Sequence, residues 1–462
     1  MKILNKNVRI NQRMKCAKSW LIGLGVLSVT WTAHADEFHY RDMLIGDRAA
    51  GLAGAYTAIA DDASGLYYNP AGIVYSSTPK ISGSVNAYNS KTTTYRGISK
   101  SNPNQQWIRR SSGMVANYFG VVQPIGDGVA GFSIAIPNYQ LEDQSDSFTH
   151  LQAAQRLMNT AANKTSGDSR FIADESNAVV NQEIDYNNAD STTLVGVSYA
   201  FAPAERLSFG VTLYGYMRKK EMTLLQDSKI RGQVNGETVY LDDTFYQKVQ
   251  TDEYGLQPRL GLMWTPFDRV SVGLMMQKTF ILSQTPEARI IHRMATLDQT
   301  YHITGEGDFI ELSDNSSYGH SLRQLADNDL PLETNLGVAY FASNRFLVSA
   351  DFSYATATDR YEATWNAAVG SEYYLSQTLA IRGGFYTNNA NTPSDVAVSG
   401  LPHINEIGAS LSASHYTKTS NITAGLSFLS GKGKANLFSA SNHTQTVETM
   451  AVSIFLSTSA SF

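Results

Sequence analysis

The last eleven residues of the chain, 452–462, read VSIFLSTSASF. Their side chains alternate between an apolar set, which includes Val452, Ile454 and Leu456, and a set that is mostly serine. An alternation with period two is the pattern of a β-strand with one apolar and one polar face. Residues 346–354 repeat this pattern, so both stretches predict strands of an amphipathic sheet.

The apolar face of such a sheet has two alternative environments, and the periodicity alone does not separate them. In a soluble sandwich the apolar face packs into a core, whereas in a membrane barrel it faces lipid and the polar face lines the lumen. The aromatic Phe462 at the end of the chain resembles the assembly signal of bacterial outer-membrane barrels. This residue, an N-terminal export signal and two long acidic connections favour the barrel.

The first 35 residues contain the three regions of a cleavable export signal. Six bases and no acids precede an apolar run from Trp20 to Val29, and small residues follow at 33–35 (AHA). The apolar run is shorter than the ~20 residues that a membrane-spanning helix requires. Residues 1–35 are therefore interpreted as a signal peptide, whose removal also removes the single cysteine, Cys16.

The composition of the 462-residue chain excludes several classes of protein. A single cysteine argues against a disulfide scaffold and a cysteine-based zinc site, and the nine histidines show no zinc-binding spacing. A net charge of −5 argues against nucleic acid as a partner. The charged fraction of 17% is below the roughly 25% of ordinary soluble domains, and 25 tyrosines and 35 glycines suit one large β structure. No cofactor and no metal is expected.

Removal of the signal peptide makes the charge distribution uneven. The mature chain keeps 30 bases against 41 acids, a net charge of −11. Residues 142–185 and 284–330 each hold eight acids and three bases, so these two stretches account for ten of the excess negative charges. Both are interpreted as outer loops, which either bridge divalent cations of lipopolysaccharide or are simply hydrated.

Short turns divide the rest of the chain, residues 80–462, into fourteen predicted strands. In three hairpins an aromatic residue, Tyr199, Trp264 or Tyr340, stands just before a short turn, as an interfacial girdle requires. Short and long connections alternate, and closure leaves no unpaired backbone edge in lipid. The predicted fold is therefore all-β, a transmembrane antiparallel barrel with strands at 80–95, 111–124, 128–140, 186–202, 205–221, 251–266, 269–283, 331–342, 345–358, 362–375, 377–390, 403–417, 421–432 and 446–462.

Residues 36–79 precede the first strand and are too weakly patterned for a strand pair and too apolar for a solvated tail. Their central part, 48–72, reads RAAGLAGAYTAIADDASGLYYNPAG, and its small residues suit close packing inside a lumen. The GAYTAIADDAS and NPAG runs resemble the most specific motif of the FadL family of outer-membrane transporters. The resemblance covers nearly the whole mature chain and continues in the hairpins around 194–216, 255–274 and 334–354.

The resemblance to the FadL family implies a fold and a set of site residues. The family fold is a fourteen-stranded barrel plugged by an N-terminal hatch, whose Asn-Pro-Ala element maps to Asn69, Pro70 and Ala71. The family's third strand is kinked and leaves a lateral gap. Pro137 lies in the third strand here, where a proline removes a ladder hydrogen bond. Phe38 is expected to contact a ligand pocket.

The predicted function is uptake of long-chain fatty acids or other hydrophobic small molecules across the outer membrane of a Gram-negative bacterium. Burial of each CH₂ contributes about 0.8 kcal/mol, so an apolar pocket retains such ligands where a water-filled channel does not. We expect capture at the outer loops, hatch movement and lateral exit at the strand-3 kink. The expected partners are the ligand, outer-membrane lipids with lipopolysaccharide, and the barrel-assembly machinery.

Three alternatives stay open at the level of sequence. A barrel of this type could act in secretion, adhesion or structure without transport, because a fold does not fix a function. A hydrolase would need a nucleophile beside a base, and His403 and His415 lie on a predicted strand with many serines. A general porin is the third, although a hatch in the lumen disfavours it.

Overall fold

The computed structural model describes residues 39–40, 43–76, 78–98, 105–151, 171–173, 179–234, 237–295, 300–302, 329–359, 361–396, 402–435 and 444–462. The expected signal peptide and Phe38 lie outside these residues.

Fourteen long strands form one antiparallel sheet that closes on itself. The first strand pairs with the last from Lys80↔Ser461 to Arg96↔Thr446, and the other strands pair with their neighbours in the chain. The predicted antiparallel barrel of about fourteen strands is thereby confirmed. The strands are β1 Lys80–Arg96, β2 Gln106–Ile125, β3 Gly128–Leu151, β4 Val179–Ala204, β5 Leu207–Val234, β6 Glu237–Phe267, β7 Val270–Lys278 continued by Phe280–Ala295, β8 Leu332–Ser343, β9 Phe346–Ala355, β10 Thr364–Tyr374, β11 Leu379–Asn388, β12 His403–Tyr416, β13 Ser420–Ala435 and β14 Gln445–Ser461.

Two further strands of three residues each pair with the wall at its long-loop end, the end that carries the long connections. They are not counted among the fourteen. Phe171–Ala173 pairs with the end of β5, and Thr300–His302 pairs with the end of β7. The opposite end of the barrel carries the six short turns, such as residues 126–127 and 205–206, and is called the short-turn end below.

The two faces of the wall differ as the alternation predicts. In β9, Phe346 and Phe352 are exposed on the outside, whereas Leu347 and Asp351 are buried on the inside. The three hairpin aromatics Tyr199, Trp264 and Tyr340 are each nearly half exposed near the short-turn end. The outer face is thus an apolar band with an aromatic rim, the pattern of a lipid-facing surface.

Strands β5 and β6 extend well beyond their predicted ends. They contain 28 and 31 residues and pair continuously from Leu207↔Trp264 to Val234↔Glu237. A transmembrane strand needs only about 9–11 residues. The long connection predicted between residues 221 and 251 is therefore wrong. Beyond the lipid zone the outer positions no longer need apolar side chains, so the hydrophobic alternation stops while the backbone ladder continues.

Parts of the two stretches predicted as acidic loops belong to strands. β3 continues to Leu151 and β4 begins at Val179, so both ends of the 142–185 stretch belong to the wall. β7 likewise continues to Ala295 within the second stretch.

Residues 43–76, here called the N-terminal segment, are surrounded by the strands and lie inside the barrel. The segment contains two short helices, Arg48–Gly51 and Gly65–Tyr68, and a 3₁₀ helix, Pro70–Tyr75. Its Leu52 and Leu66 side chains are fully buried against the wall. No helix in the described part of the chain is long and apolar enough to cross a membrane.

Candidate functional site

Seven inward-facing glycines bring the wall into direct contact with the N-terminal segment. A Cβ atom added to any of them would lie 2.1–2.9 Å from an atom of the segment, closer than van der Waals contact permits. Six of the seven form facing pairs on neighbouring strands. This glycine belt holds the segment by close backbone packing. Its members are Gly131, Gly210, Gly261, Gly273, Gly337, Gly370 and Gly384.

Asn69 fixes the end of the segment to the belt. Its Nδ2 donates to the carbonyl oxygens of Thr57 (2.8 Å) and Leu262 (3.1 Å), and its Oδ1 accepts from the N–H of Ala71 (3.1 Å). Asn69 thereby caps the 3₁₀ helix that begins at Pro70. The three residues of the predicted hatch element are therefore found in one fully buried turn against β5 and β6.

An ion cluster around the buried Glu372 ties the segment to the wall at the short-turn half. The Nε and Nη2 atoms of Arg48 donate to the two carboxylate oxygens of Glu372 (2.9 and 2.7 Å), and its Nη1 donates to Asp61 (2.9 Å). Arg382 shares the same Glu372 through its Nε (2.5 Å). Burial would lower the pKa of Arg48, but the charges of Asp61 and Glu372 outweigh it and raise that pKa well above its ordinary value. The guanidinium therefore stays charged inside the barrel.

Asp351 of β9 supports the middle of the segment. Its Oδ2 accepts from the backbone N–H groups of Tyr56 (3.1 Å) and Thr57 (2.9 Å). Burial, and then the charge of Asp62, raises the pKa of the Tyr56 phenol well above its ordinary value. Tyr56 therefore stays neutral and donates to Asp61 (3.2 Å).

The beginning of the segment, Met43–Gly46, is held differently from the rest. The Nδ2 of Asn117 donates to the carbonyl oxygen of Leu44 (2.9 Å), and the Gly46 N–H donates to the Ser84 hydroxyl (3.3 Å). Ser84 in turn donates to Asn117 (2.7 Å). Of the glycine belt, none has a close Cβ contact with residues 43–46. Asn86 Nδ2 also donates to the Met43 sulfur (3.2 Å), and the fully buried Ile45 packs against Tyr118 and Tyr214 of the wall. Residues 43–44 are thus held by polar side chains, whereas Ile45 is part of the packed core.

The wall is interrupted beside this attachment. β2 and β3 pair from Ile125↔Gly128 to Tyr118↔Ala135 and once more at Ser111↔Glu142. Residues 112–117 of β2 and 136–141 of β3, all of them described, face each other without backbone pairs. We call this part of the wall the gap.

Pro137 lies in the gap, on β3. The pairing of β3 with β4 shifts between Ala135 and Asn138, so a bulge includes this proline. Ala135 and Gln140 are both buried although five positions separate them, which shows that the inward face changes parity at the bulge. A proline has no N–H to donate, so it suits a position where the ladder is broken.

A cavity of about 40 Å³, enough for a few waters, lies between the start of the segment and the gap. Its lining is mixed rather than purely apolar. The carbonyl oxygen of the Gln140 side chain is buried there without a hydrogen-bond partner. The polar lining residues are Asn86, Asn89, Lys91, Ser111, Asn138, Gln140, Ser427 and Ser453; the others are Met43, Leu44, Tyr139, Tyr386, Leu429, Ala451 and Phe455.

The histidines considered for a hydrolase do not share a surface with the serines of their strand. His415 is exposed on the outer face of β12, whereas Ser412 and Ser414 are buried on the inner face. The His403 Nδ1 lies 2.8 Å from the carbonyl oxygen of Thr392 in the neighbouring connection. The geometry thus gives no support to a serine–histidine pair on this strand.

The structure separates the predicted site residues into two places. Asn69, Pro70 and Ala71 lie together in the short-turn half, and Pro137 lies in the gap of the wall. Phe38 is outside the described residues, and Phe462 is exposed at the end of the chain. The sequence reasoning missed Asn117 and Ser84, which no motif marks. The glycine belt did leave a signal, since the three repeated hairpins together contain four of its glycines, Gly210, Gly261, Gly273 and Gly337.

No family model and no curated protein matches this chain in sequence. Solved structures match it in fold. A Pseudomonas aeruginosa FadL homologue has a TM-score of 0.55 at 12% identity and covers 92% of this chain and 100% of its own. A TodX deltaS2S3 mutant, a monoaromatic hydrocarbon channel, has a TM-score of 0.56 at 12% identity, with 90% and 99% coverage. The CymD monoaromatic hydrocarbon channel has a TM-score of 0.51 at 12% identity, with 90% and 97% coverage. This chain has the fold of these channels.

Proposed function

We propose that this chain is an outer-membrane channel for the uptake of hydrophobic small molecules that carry a polar end, long-chain fatty acids among them. The observation that carries the proposal is the break in the β2–β3 ladder beside an internal cavity. The short-turn end then faces the periplasm and the long-loop end the outside, the arrangement of single-chain outer-membrane barrels.

The cavity and the gap share residues, which makes a lateral route the shortest one. Asn138, Tyr139 and Gln140 belong to the gap and also line the cavity. Met43 and Leu44 lie on the other side of the same cavity. A ligand in the cavity would need only a displacement of this short stretch and of the gap side chains to reach the surrounding lipid.

The two ends of the N-terminal segment have different roles in this proposal. The turn at Asn69–Ala71 is the fixed end, because the glycine belt and the Arg48 cluster would both have to break before it moved. Residues 43–44 form the moving end, because the Asn86 and Asn117 side chains hold them and no glycine of the belt contacts them. The fully buried Ile45 marks where the packed part of the segment begins. A few hydrogen bonds of about 0.5–1.5 kcal/mol each are a small barrier compared with a packed core.

The lining of the cavity favours an amphiphilic ligand over a pure hydrocarbon. Amides and hydroxyls form one side, and Leu44, Tyr386 and Phe455 contribute apolar surface. Among the described residues that line the cavity, Lys91 alone is charged, and it lies 3.5 Å from Glu406. The free acceptor of Gln140 suits a ligand group that donates a hydrogen bond, such as a hydroxyl or a protonated carboxyl.

Uptake by whole cells tests this function. The chain is produced in a strain that lacks its own fatty acid transporter, and uptake of labelled oleate and labelled toluene is measured against an empty vector. We expect oleate uptake clearly above the vector and a smaller gain for toluene. Vector-level uptake of both compounds, with the folded barrel present in the outer membrane, would refute the proposal.

A structural or secretion role without transport is the second candidate. The small volume of the cavity, about 40 Å³, favours it, because this cavity cannot hold a whole fatty acid without a rearrangement. Deletion of residues 36–45 separates the two candidates. A transporter loses or deregulates oleate uptake on this deletion, whereas a structural barrel shows vector-level uptake both before and after it.

A further inference from the structure

The boundary between β2 and β3, here called the β2–β3 seam, lacks a continuous backbone ladder within the gap. It also lacks one between the gap and the long-loop end. Residues 106–110 of β2 pair with β1, and residues 143–147 of β3 pair with β4. These two described stretches have no backbone pairs with each other. The long-loop half of this seam is therefore closed by something other than a ladder.

A buried ion pair crosses the seam directly above the gap. Arg109 is fully buried and Glu142 is 3% exposed. The Arg109 Nε donates to Glu142 Oε2 (3.1 Å), and Nη2 donates to the same oxygen. The guanidinium also donates to the hydroxyl of Tyr95 (3.1 Å) and lies 4.1 Å from the ring centroid of Tyr186.

Three weaker contacts continue this closure. The indole N–H of Trp107 donates to Asp146 (2.6 Å) further towards the long-loop end. The Arg110 backbone N–H donates to the Gln144 side chain (3.1 Å), and the Leu141 N–H donates to the Ser111 hydroxyl (3.3 Å). Each contact uses at least one side chain, so together they replace the missing ladder.

The ion pair lies where the outer surface of the wall changes character. Met114 is 71% exposed and Leu141 46% exposed on the lipid side of the gap. Further towards the long-loop end, Arg110 of β2 and Asp143 of β3 are charged and exposed. The Arg109–Glu142 pair therefore marks the upper end of the lipid-facing part of the gap.

We propose that Arg109 and Glu142 form a latch that limits the length of the lateral opening. When the pair is closed, the opening ends at Ser111. When it separates, the seam opens towards the long-loop end, because no ladder holds it there, and a long ligand can pass sideways through the wall. This inference rests on the proposed transport function and adds to it the residues that decide how long a ligand is admitted.

An engineered disulfide across the seam, next to Arg109 and Glu142, tests the proposal. Extending the Ser111↔Glu142 register by one residue would place Arg110 opposite Asp143, and both residues are exposed, away from the cavity and the latch. The double variant Arg110→Cys, Asp143→Cys is assayed after oxidation and after reduction, with bridge formation read from intact mass. We expect the oxidised form to lose about tenfold in oleate uptake and little in toluene uptake, with recovery on reduction, as a blocked gate requires.

The disulfide experiment distinguishes failure of the latch from failure of the transport function. Equal oleate uptake in the oxidised and reduced forms would overturn the latch while leaving transport intact. If the two cysteines form no disulfide in the folded barrel, positions 110 and 143 do not face each other. This result would also overturn the latch. Vector-level uptake by the unmodified chain would refute the transport function instead, and the next measurement still decides the latch.

Hydrogen exchange in the purified barrel tests the latch without any ligand. Glu142→Gln removes the charge pair, and Asp190→Asn removes a matched buried pair with Arg218 (2.7 Å), which joins β4 and β5 across a complete ladder. We expect exchange at 106–111 and 141–147 to rise about tenfold in the first variant, because side chains alone close that seam. An equal response in both variants, or none in Glu142→Gln, would overturn the proposal.

Discussion

Two glutamates of the barrel each lie between two basic side chains, but they differ in exposure. Glu372 is 1% exposed between Arg48 and Arg382. Glu448 is 37% exposed between Arg96 and Lys432. Water screens the second cluster and not the first, so the same arrangement of charges has unequal consequences for stability.

The substitution Glu372→Gln should destabilise the barrel strongly, because it leaves two buried guanidinium groups short of a counter-charge. We expect a loss of about 3–5 kcal/mol in the free energy of unfolding in urea. Glu448→Gln is the matched control and should change the free energy of unfolding far less, because water screens this exposed cluster. Similar losses in the two variants would show that the buried cluster does not anchor the N-terminal segment.

Gly261 allows Asn69 to reach the wall. A Cβ at Gly261 would lie 2.2 Å from Asn69 Oδ1, whereas a Cβ at Gly215 would meet only the Val195 carbonyl oxygen at 3.6 Å. We expect Gly261→Ala to displace the Asn69 turn, with a loss of about 1–3 kcal/mol in stability, as overpacking of a core does. Hydrogen exchange at Ala71 should rise in this variant and stay unchanged in Gly215→Ala. Unchanged exchange at Ala71 in both would contradict the fixed-end assignment.

At the scale of elements, strand β3 carries the break in the wall. Pro137 cannot donate a ladder hydrogen bond, and Pro137→Ala restores that donor. We expect slower hydrogen exchange at 112–117 and 136–141 and lower oleate uptake in this variant. Pro258→Ala is the control, since Pro258 lies within β6, away from the cavity lining. If Pro137→Ala transports like the parent chain, the bulge is not part of the route.

The sequence was informative about strands in the lipid zone and less so beyond it. Fourteen strands could be predicted because each has an apolar outer face there, as Phe352 and its neighbours show in β9. The upper halves of β5 and β6 have polar outer positions such as Lys219 and Glu221, which a hydrated loop also has. The interruption of β7 at Thr279 does have a signal in the sequence, because Pro258 on the neighbouring strand faces the same break and cannot donate to a ladder.

Much of the site could not be predicted, because its residues are distant in the chain. Asn69, Pro70 and Ala71 were found through a local motif. Arg109 and Glu142 are 33 positions apart, and only the register of β2 and β3 brings them together.

At the scale of the whole molecule, the filled lumen predicts low conductance. The N-terminal segment is buried against strands around the barrel, and the cavity beside it holds only a few waters. We expect the purified protein in a planar bilayer to show far smaller conductance than a general porin of similar strand number. A large, steady conductance would mean that the segment does not stay in the lumen and would favour the porin.

Photolabelling shows whether a ligand takes the lateral route through the gap. A radiolabelled long-chain fatty acid with a photoreactive group near its methyl end is supplied to cells that produce the chain, and the labelled positions are mapped by mass spectrometry after irradiation. We predict label at residues 112–117 and 136–141 and at cavity residues such as Leu44 and Tyr386. Label confined to the six short turns, with none in the gap, would contradict the account.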